Sequence, residues 1–276
     1  MTRSSTYALD PSQAEIDRLL MLSRLTSDEV AHAGHKAGLK PGDWALDLGC
    51  GALGALPALA RLVGPSGRAV GLDQDPGALA MARRVLDADG MGWVDLVHAN
   101  FDQADLPSLR RERGFDLIYC RLFLMHQHSP LETLRRMTEL LGPGGCLAVV
   151  DMVAGPTCEP SSRALERAWS LIVESMRIRR ASPGVAKRYA SLCAEAGLEV
   201  VRQRGLFQPR PPAEVFQDVS VLLQGARRTI VDGGAAGSGE IDLLLTELND
   251  ASSVAFACSP STIELIARRP GNGEAR

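Results

Sequence analysis

The chain has 276 residues, 45% of them hydrophobic and 23% charged, and a formal net charge of −3. It is long enough for one substantial domain with a sizeable core and an appended helical region, and its weak negative charge excludes the positive field that holds a nucleic acid. Its most apolar windows, such as 117–125, are short and broken by Arg121, and the N-terminus carries no apolar leader core, so a cytoplasmic protein with no membrane span is expected.

In chain order, Asp10 or Ser12 caps a helix that begins near Pro11 and carries Ile16, Leu19, Leu20 and Leu25 at helical spacing. A second helix, 28–37, stops at Gly38. Both precede the first strand, so they must cover the outside of the sheet or its ligand edge. Tyr7, ahead of them, is either a packing residue or a contact from above a ligand. From Lys40, strand-like runs at 44–48, 68–72, 94–99, 115–120 and 145–150 alternate with helical patterns at 54–63, 76–88 and 130–141, each helix closed by glycine or proline. That alternation marks parallel βαβ units, whose ligands bind beyond the carboxyl ends of the strands. Residues 104–113 are too short and polar a stretch to assign.

After Val153 the pattern predicts helices at 160–180 and 182–196 and a strand at 198–207. A proline hinge follows at 209–212, then helices 213–231 and 240–248 around a glycine-rich break, and a last strand at 262–267. If the last two strands pair antiparallel, residues 208–260 form a long insertion of the kind that makes lids or substrate walls. The expected organisation is an N-terminal helical cap (1–39), an α/β core (40–207), a helical lid (208–260) and a final strand and tail (261–276).

The chemistry concentrates at 44–54, W-A-L-D-L-G-C-G-A-L-G, where a short strand runs into closely spaced glycines. Glycines are needed where the main chain takes positive φ or approaches a ligand. Asp73, in A-V-G-L-D-Q-D-P, ends the second strand, where a carboxylate can accept from ribose hydroxyls. Gly49, Gly51 and Gly54 spell G-x-G-x-x-G, so a dinucleotide and an adenosyl amino acid are both open. Asp47 discriminates, because a carboxylate just before the first glycine repels a pyrophosphate and attracts an ammonium or sulfonium.

Together these motifs resemble class I S-adenosylmethionine-dependent methyltransferases of the bacterial small-molecule type, similar to quinone-pathway and natural-product enzymes. D-L-G-C-G-A-L-G resembles the first motif, although the family more often has the shorter G-x-G-x-G. G-L-D-Q-D resembles the acidic ribose motif, and H-A-N-F-D-Q-A-D-L-P the loop after the third strand. F-D-L-I-Y-C-R-L-F-L-M-H with S-P and L-L-G-P-G-G resembles the fourth strand and its helix. The resemblance implies a Rossmann-like fold, mostly parallel and seven-stranded, with N-terminal helices and a helical lid inserted before the last strand. It implies S-adenosylmethionine as cofactor, S-adenosylhomocysteine as product, and methyl transfer to an O, N or C atom of a small organic molecule in secondary metabolism. Asp47, Gly49, Cys50 and Gly51 would floor the methionine part, Asp73 would hold the ribose and Gln74 would border the adenine. Asn100 would accept from the adenine amino group, with Asp102 as the alternative, and Phe101 would offer its backbone amide. Cys120 and Arg121 would end the fourth strand at the sulfonium, where Arg121 reads equally as a salt-bridge residue.

His126, in M-H-Q-H-S-P beside His128, is the candidate general base or else a structural residue at the start of a helix. His32 and His35 share a helical face without a third ligand, and the six cysteines (Cys50, Cys120, Cys146, Cys158, Cys193, Cys258) form no C-x-x-C pair, so no metal is expected and the thiols read as reduced. Trp169, Met176, Phe207 and Phe216 pack a core or wall a substrate pocket. The competing functions are an NAD(P)-dependent oxidoreductase, disfavoured by Asp47 and by the lack of a Tyr-x-x-x-Lys pair, and a non-catalytic cofactor-binding regulator on the same fold. The partners implied are a small-molecule substrate, no nucleic acid and no membrane, with a homodimer as a compatible assembly.

Overall fold

The computed structural model describes residues 13–102, 109 and 113–271. Two helices come first, α1 (Gln13–Leu25) and α2 (Ser27–Ala37). The proposed caps Asp10 and Ser12, and Tyr7, lie outside the described residues. α2 ends where Gly38 takes the left-handed conformation, φ 85°, and its amide closes on the last carbonyls of the helix. The chain then alternates through β1 (Trp44–Leu48), α3 (Leu56–Val63), β2 (Arg68–Asp73), α4 (Pro76–Ala88), β3 (Asp95–His98), β4 (Phe115–Arg121), α5 (Pro130–Leu140) and β5 (Leu141–Met152). α3, α4 and α5 all carry proline in their first turn, where its missing N–H costs nothing, and Asp75 Oδ1 caps α4 by accepting from Gly77 and Ala78.

The second half runs β6 (Thr157–Glu159), α6 (Arg163–Ile178), α7 (Tyr189–Glu195), β7 (Glu199–Leu206), β8 (Pro209–Arg210), α8 (Pro212–Asp232), α9 (Ser238–Leu248), β9 (Phe256–Cys258) and β10 (Thr262–Arg268). Seven strands form one mostly parallel sheet in the order β3-β2-β1-β4-β5-β10-β7, with β10 antiparallel to both of its neighbours. Strand order reverses between β1 and β4, the place where such sheets open a crevice.

Strand alternation sends successive side chains to opposite faces. Leu46, Leu48, Ile118 and Cys120 pack with α5 and α7 on one face, while Ala45, Leu117 and Tyr119 pack with α2, α3 and α4 on the other. A third apolar cluster joins α6, α8 and α9, so the helices inserted between β7 and β10 are bound to α6 through Leu165, Ile172, Phe216 and Leu223. No helix among the described residues is long and apolar enough to cross a membrane.

The structure departs from the sequence reading in three places. β5 begins at Leu141, so G-P-G-G lies inside a strand rather than after a helix. A Cβ on Gly142 or Gly145 would fall 2.5 Å from the Arg113 or Phe115 carbonyl, and only glycine lets the two backbones approach there. The helix expected at 182–196 is a 3-10 turn, Val185–Arg188, followed by the short α7. The strands β6, β9 and β8 form a second, three-stranded sheet, each too short to show alternation in sequence.

Candidate functional site

A cleft of about 1110 Å³ opens at the carboxyl ends of β2, β1, β4 and β5, covered by α1, α6 and α8. Asp47, Gly49, Cys50, Gly51, Asp73, Gln74, Asn100, Phe101, Asp102, Arg121 and His126 all line it, together with His128, Trp169 and Met176. Cys120 does not. Its side chain points to the opposite face of β4, where burial pushes the thiol well up. Phe216 is buried in the helical cluster and Phe207 is 61% exposed, stacked on Phe256, so neither walls the cleft.

The glycine loop is built around Asp47. Its carboxylate is buried, and Oδ2 accepts from the Ala55 amide at 2.6 Å, at the N-terminus of α3. Gly54 has φ 54°, and a Cβ there would collide with that same oxygen and with the Cys50 backbone. The third glycine therefore exists to admit the Asp47 carboxylate, a role the sequence spacing left open. Burial pushes Asp47 up to about 7, opposed by the Ala55 amide and the Arg121 charge. Gly49, φ 75°, lies against the Phe123 ring, and Leu19 of α1 lies over Gly51. Ser23 Oγ donates to the Gly54 carbonyl at 2.5 Å, so α1 closes over the loop. The helical stripe containing Leu19 was legible in sequence; its position over the glycines was not.

Asp73 holds the next strand end. Oδ2 accepts from Gly51 N at 2.8 Å and Oδ1 from Asp75 N at 2.9 Å, and the carboxylate lines the cleft. Burial raises its pKa. Asn100 Nδ2 donates to Gln74 Oε1 at 2.8 Å, and its Oδ1 accepts from Asp102 N at 3.1 Å. Asp102 is drawn instead to α5, accepting from Thr133 Oγ1 and, through its carbonyl, from Arg136. Arg136 also covers the Phe101 ring at 5.1 Å. Of the two candidates, then, Asn100 is tied to the Gln74 edge and Asp102 to the helix wall.

Leu122, Phe123, Met125 and His126 form the adjoining wall. Leu122 has φ 53° and Arg180 φ 60°; these are the two non-glycine residues with positive φ among the described residues, and both line the cleft. The turn rests on Asp151, which is 1% exposed and accepts from the Met125 amide at 3.2 Å and from the Tyr189 hydroxyl. Burial raises Asp151 to about 7 and lowers His126 to about 4, so the imidazole is neutral near pH 7. Sequence reading missed Tyr189 and Asp151, since neither stands in a motif with a chemical role. Arg121 forms no salt bridge among the described residues, and burial lowers its pKa. No group of three or more metal-binding side chains occurs among the described residues, and all six cysteines are free.

The family model described as "Methyltransferase domain" matches residues 39–193. The chain is 35% identical over 107 residues to the demethylmenaquinone methyltransferase of Bacillus cytotoxicus, covering 39% of this chain and 44% of that one. It is 35% identical over 122 residues to the trans-aconitate 2-methyltransferase of Methylobacterium nodulans, covering 44% and 42%. It thus spans less than half the length of these curated relatives. Among solved structures, a methyltransferase-like protein of Bacillus halodurans C-125 superposes with TM-score 0.61 at 19% identity, covering 88% of this chain and 99% of that one. The [4+2]-cyclase SpnF superposes with TM-score 0.56 at 17% identity, covering 89% and 82%; both show the fold alone. By the match over more than half its length and by its sheet order, the chain belongs to the methyltransferase-domain family and has the class I, Rossmann-like methyltransferase fold.

Proposed function

We propose that this cleft binds S-adenosylmethionine and that the chain transfers its methyl group to an O, N or C atom of a small organic molecule in secondary metabolism. One observation carries the reading. The N-terminus of α3, where a dinucleotide would set its pyrophosphate, is already filled by the Asp47 carboxylate, with Gly54 leaving room for it and for nothing larger. That arrangement repels phosphate and favours a cationic amino-acid end.

The residues present fit an adenosyl amino acid. Asp73 lines the cleft with a carboxylate that can accept from ribose hydroxyls, Gln74 and Asn100 border the next part of the cleft, and Phe101 contributes an apolar wall. Asp47, Gly49, Cys50 and Gly51 line the cleft where they would lie beneath the amino-acid end, with the Arg121 backbone at the close of β4. When bound, the cofactor supplies a methyl group on an electrophilic sulfonium. The chain's own contribution is then to hold the acceptor in line and to exclude water, which α1, α6 and α8 do by covering the cleft. His126 remains a candidate base at the wall, but a group titrating near 4 is a weak one at neutral pH.

The names of the two curated relatives specify small acceptors, a demethylmenaquinone and trans-aconitate, which supports a small-molecule acceptor here. The test is to follow label from methyl-labelled S-adenosylmethionine into a small-molecule extract. Label in a new compound is the expected result. Label retained wholly in the cofactor would favour the regulator reading, or a different chemistry such as the cyclase of the same fold.

A further inference from the structure

The floor of the cleft is a row of strand ends, and their order in the sheet is also an order of charge. Across β2, β1, β4, β5 and β10 the lining residues are Asp73, Asp47, Arg121, Met152 and Thr262. The acidic end lies under the glycine loop. The far end has Met152 and Thr262 on its floor and is walled by Trp169 and Met176 of α6 and Val219 and Leu222 of α8, with Asp218 paired to Arg210 at its edge. Arg121 stands on the boundary, where the acceptor has to meet the cofactor.

Six arginines line the cleft, and most have work elsewhere. Arg18 is bidentate on Glu15, Arg210 is held by Asp218 and Glu214, Arg179 donates to Thr229, and Arg136 to the Asp102 carbonyl. Arg180 is exposed at the rim. Arg121 is half-buried and makes no hydrogen bond or ion pair among the described residues, although Asp47 and Glu29 are near enough to act on its charge. A guanidinium drawn out of water without a partner is costly, and an anion arriving with the ligand removes that cost. The sulfonium cannot be that partner, since it carries the same sign.

We infer, building on the methyltransferase reading, that the Arg121 side chain binds an oxyanion of the acceptor at this boundary, and that the acceptor is a bulky, mainly apolar molecule bearing a carboxylate, phenolate or enolate oxygen. Such an oxygen forms the new C–O bond with its own lone pair while the methyl–sulfur bond breaks and leaves its pair on sulfur. No proton has to be removed, which suits a site where His126 is held neutral.

The test uses the full chain saturated with S-adenosylhomocysteine and three probes sharing one apolar body: naphthoate, naphthalenemethanol and naphthalenemethylamine, each titrated by calorimetry. Naphthoate should bind about tenfold or more tightly than the other two, the size of one charge-assisted hydrogen bond. Arg121→Met should erase that preference and Arg121→Lys retain part of it. Equal binding of the three probes, or no binding of naphthoate, overturns the proposal. So does an Arg121→Met variant that loses nucleoside affinity about tenfold, which assigns the guanidinium to the cofactor's carboxylate. If Arg121→Met does not fold, the wild-type preference and the Lys variant decide. Failure of the wild type to bind the nucleoside at all overturns the functional reading beneath it instead.

Discussion

Asp47 and Gly54 act as one device, a buried carboxylate and the missing side chain that admits it. Gly54→Ala puts a Cβ into the Asp47 oxygen and onto a positive φ. It should destabilise the fold by about 1–3 kcal/mol and abolish nucleoside binding, read by thermal melting and calorimetry. Because burial holds Asp47 near 7, a cationic ligand end must draw off its proton at lower pH. Affinity for S-adenosylhomocysteine should therefore rise by up to about tenfold in all from pH 6 to pH 8 and level off above that, with proton release detectable in buffers of different ionisation enthalpy. A flat profile would place the ammonium away from Asp47. Asp73→Ala should weaken the same binding by about 1–3 kcal/mol, and unchanged affinity would move the ribose elsewhere. Both acids were legible in sequence, because each ends a short apolar strand beside glycine or another acid. What remained hidden was that Asp47 serves the α3 N-terminus and that Asp73 already holds two amides. Such backbone partners are fixed by the turn's dihedrals, which residue types alone do not specify.

The turn from Leu122 to His126 shows how an element depends on residues far away in the chain. Asp151 from β5 and Tyr189 from α7 hold it from beneath. Tyr189→Phe should cost about 1–3 kcal/mol of stability, measured by denaturant unfolding, because it takes away the one hydroxyl donor to a buried carboxylate. The pH dependence has a defined sign. Asp151 is raised from 3.8 to about 7, so its contribution to stability is full below the unfolded value and is lost as pH rises through the folded one. Asp151→Asn should lose less stability than the wild type between pH 4 and pH 7, and parallel curves would contradict the shift. His126 has the opposite sign: lowered to about 4, it contributes above its unfolded value of 6.5 and loses that contribution as pH falls. His126→Ala should therefore alter acid stability and leave the rate profile between pH 6 and pH 8 without a lost limb. The central strands β1, β2, β4 and β5 were readable because each carries an apolar run close to glycines. The three-stranded sheet and the split of the 182–196 helix were not, since they depend on pairing between segments about fifty to a hundred residues apart and on a 3-10 turn that shares helical periodicity.

At the scale of the whole molecule, the two halves of the chain meet at the cleft. The first half builds its acidic floor and the second half roofs its apolar end. The α/β half was legible because its pattern repeats strand, glycine and helix. The roof was legible as helices, but its packing was not, because apolar residues such as Trp169 and Phe216 have the same spacing whether they face a cavity or a core. The structure separates them: Trp169 lines the cleft and Phe216 joins the helical cluster. The central claim is that the cleft takes an adenosyl amino acid and not a dinucleotide. Its most direct test is calorimetric titration of the purified full chain with S-adenosylhomocysteine and, separately, with NADH. Saturable binding of the nucleoside and none of the dinucleotide is expected; tight binding of NADH without S-adenosylhomocysteine would overturn the assignment.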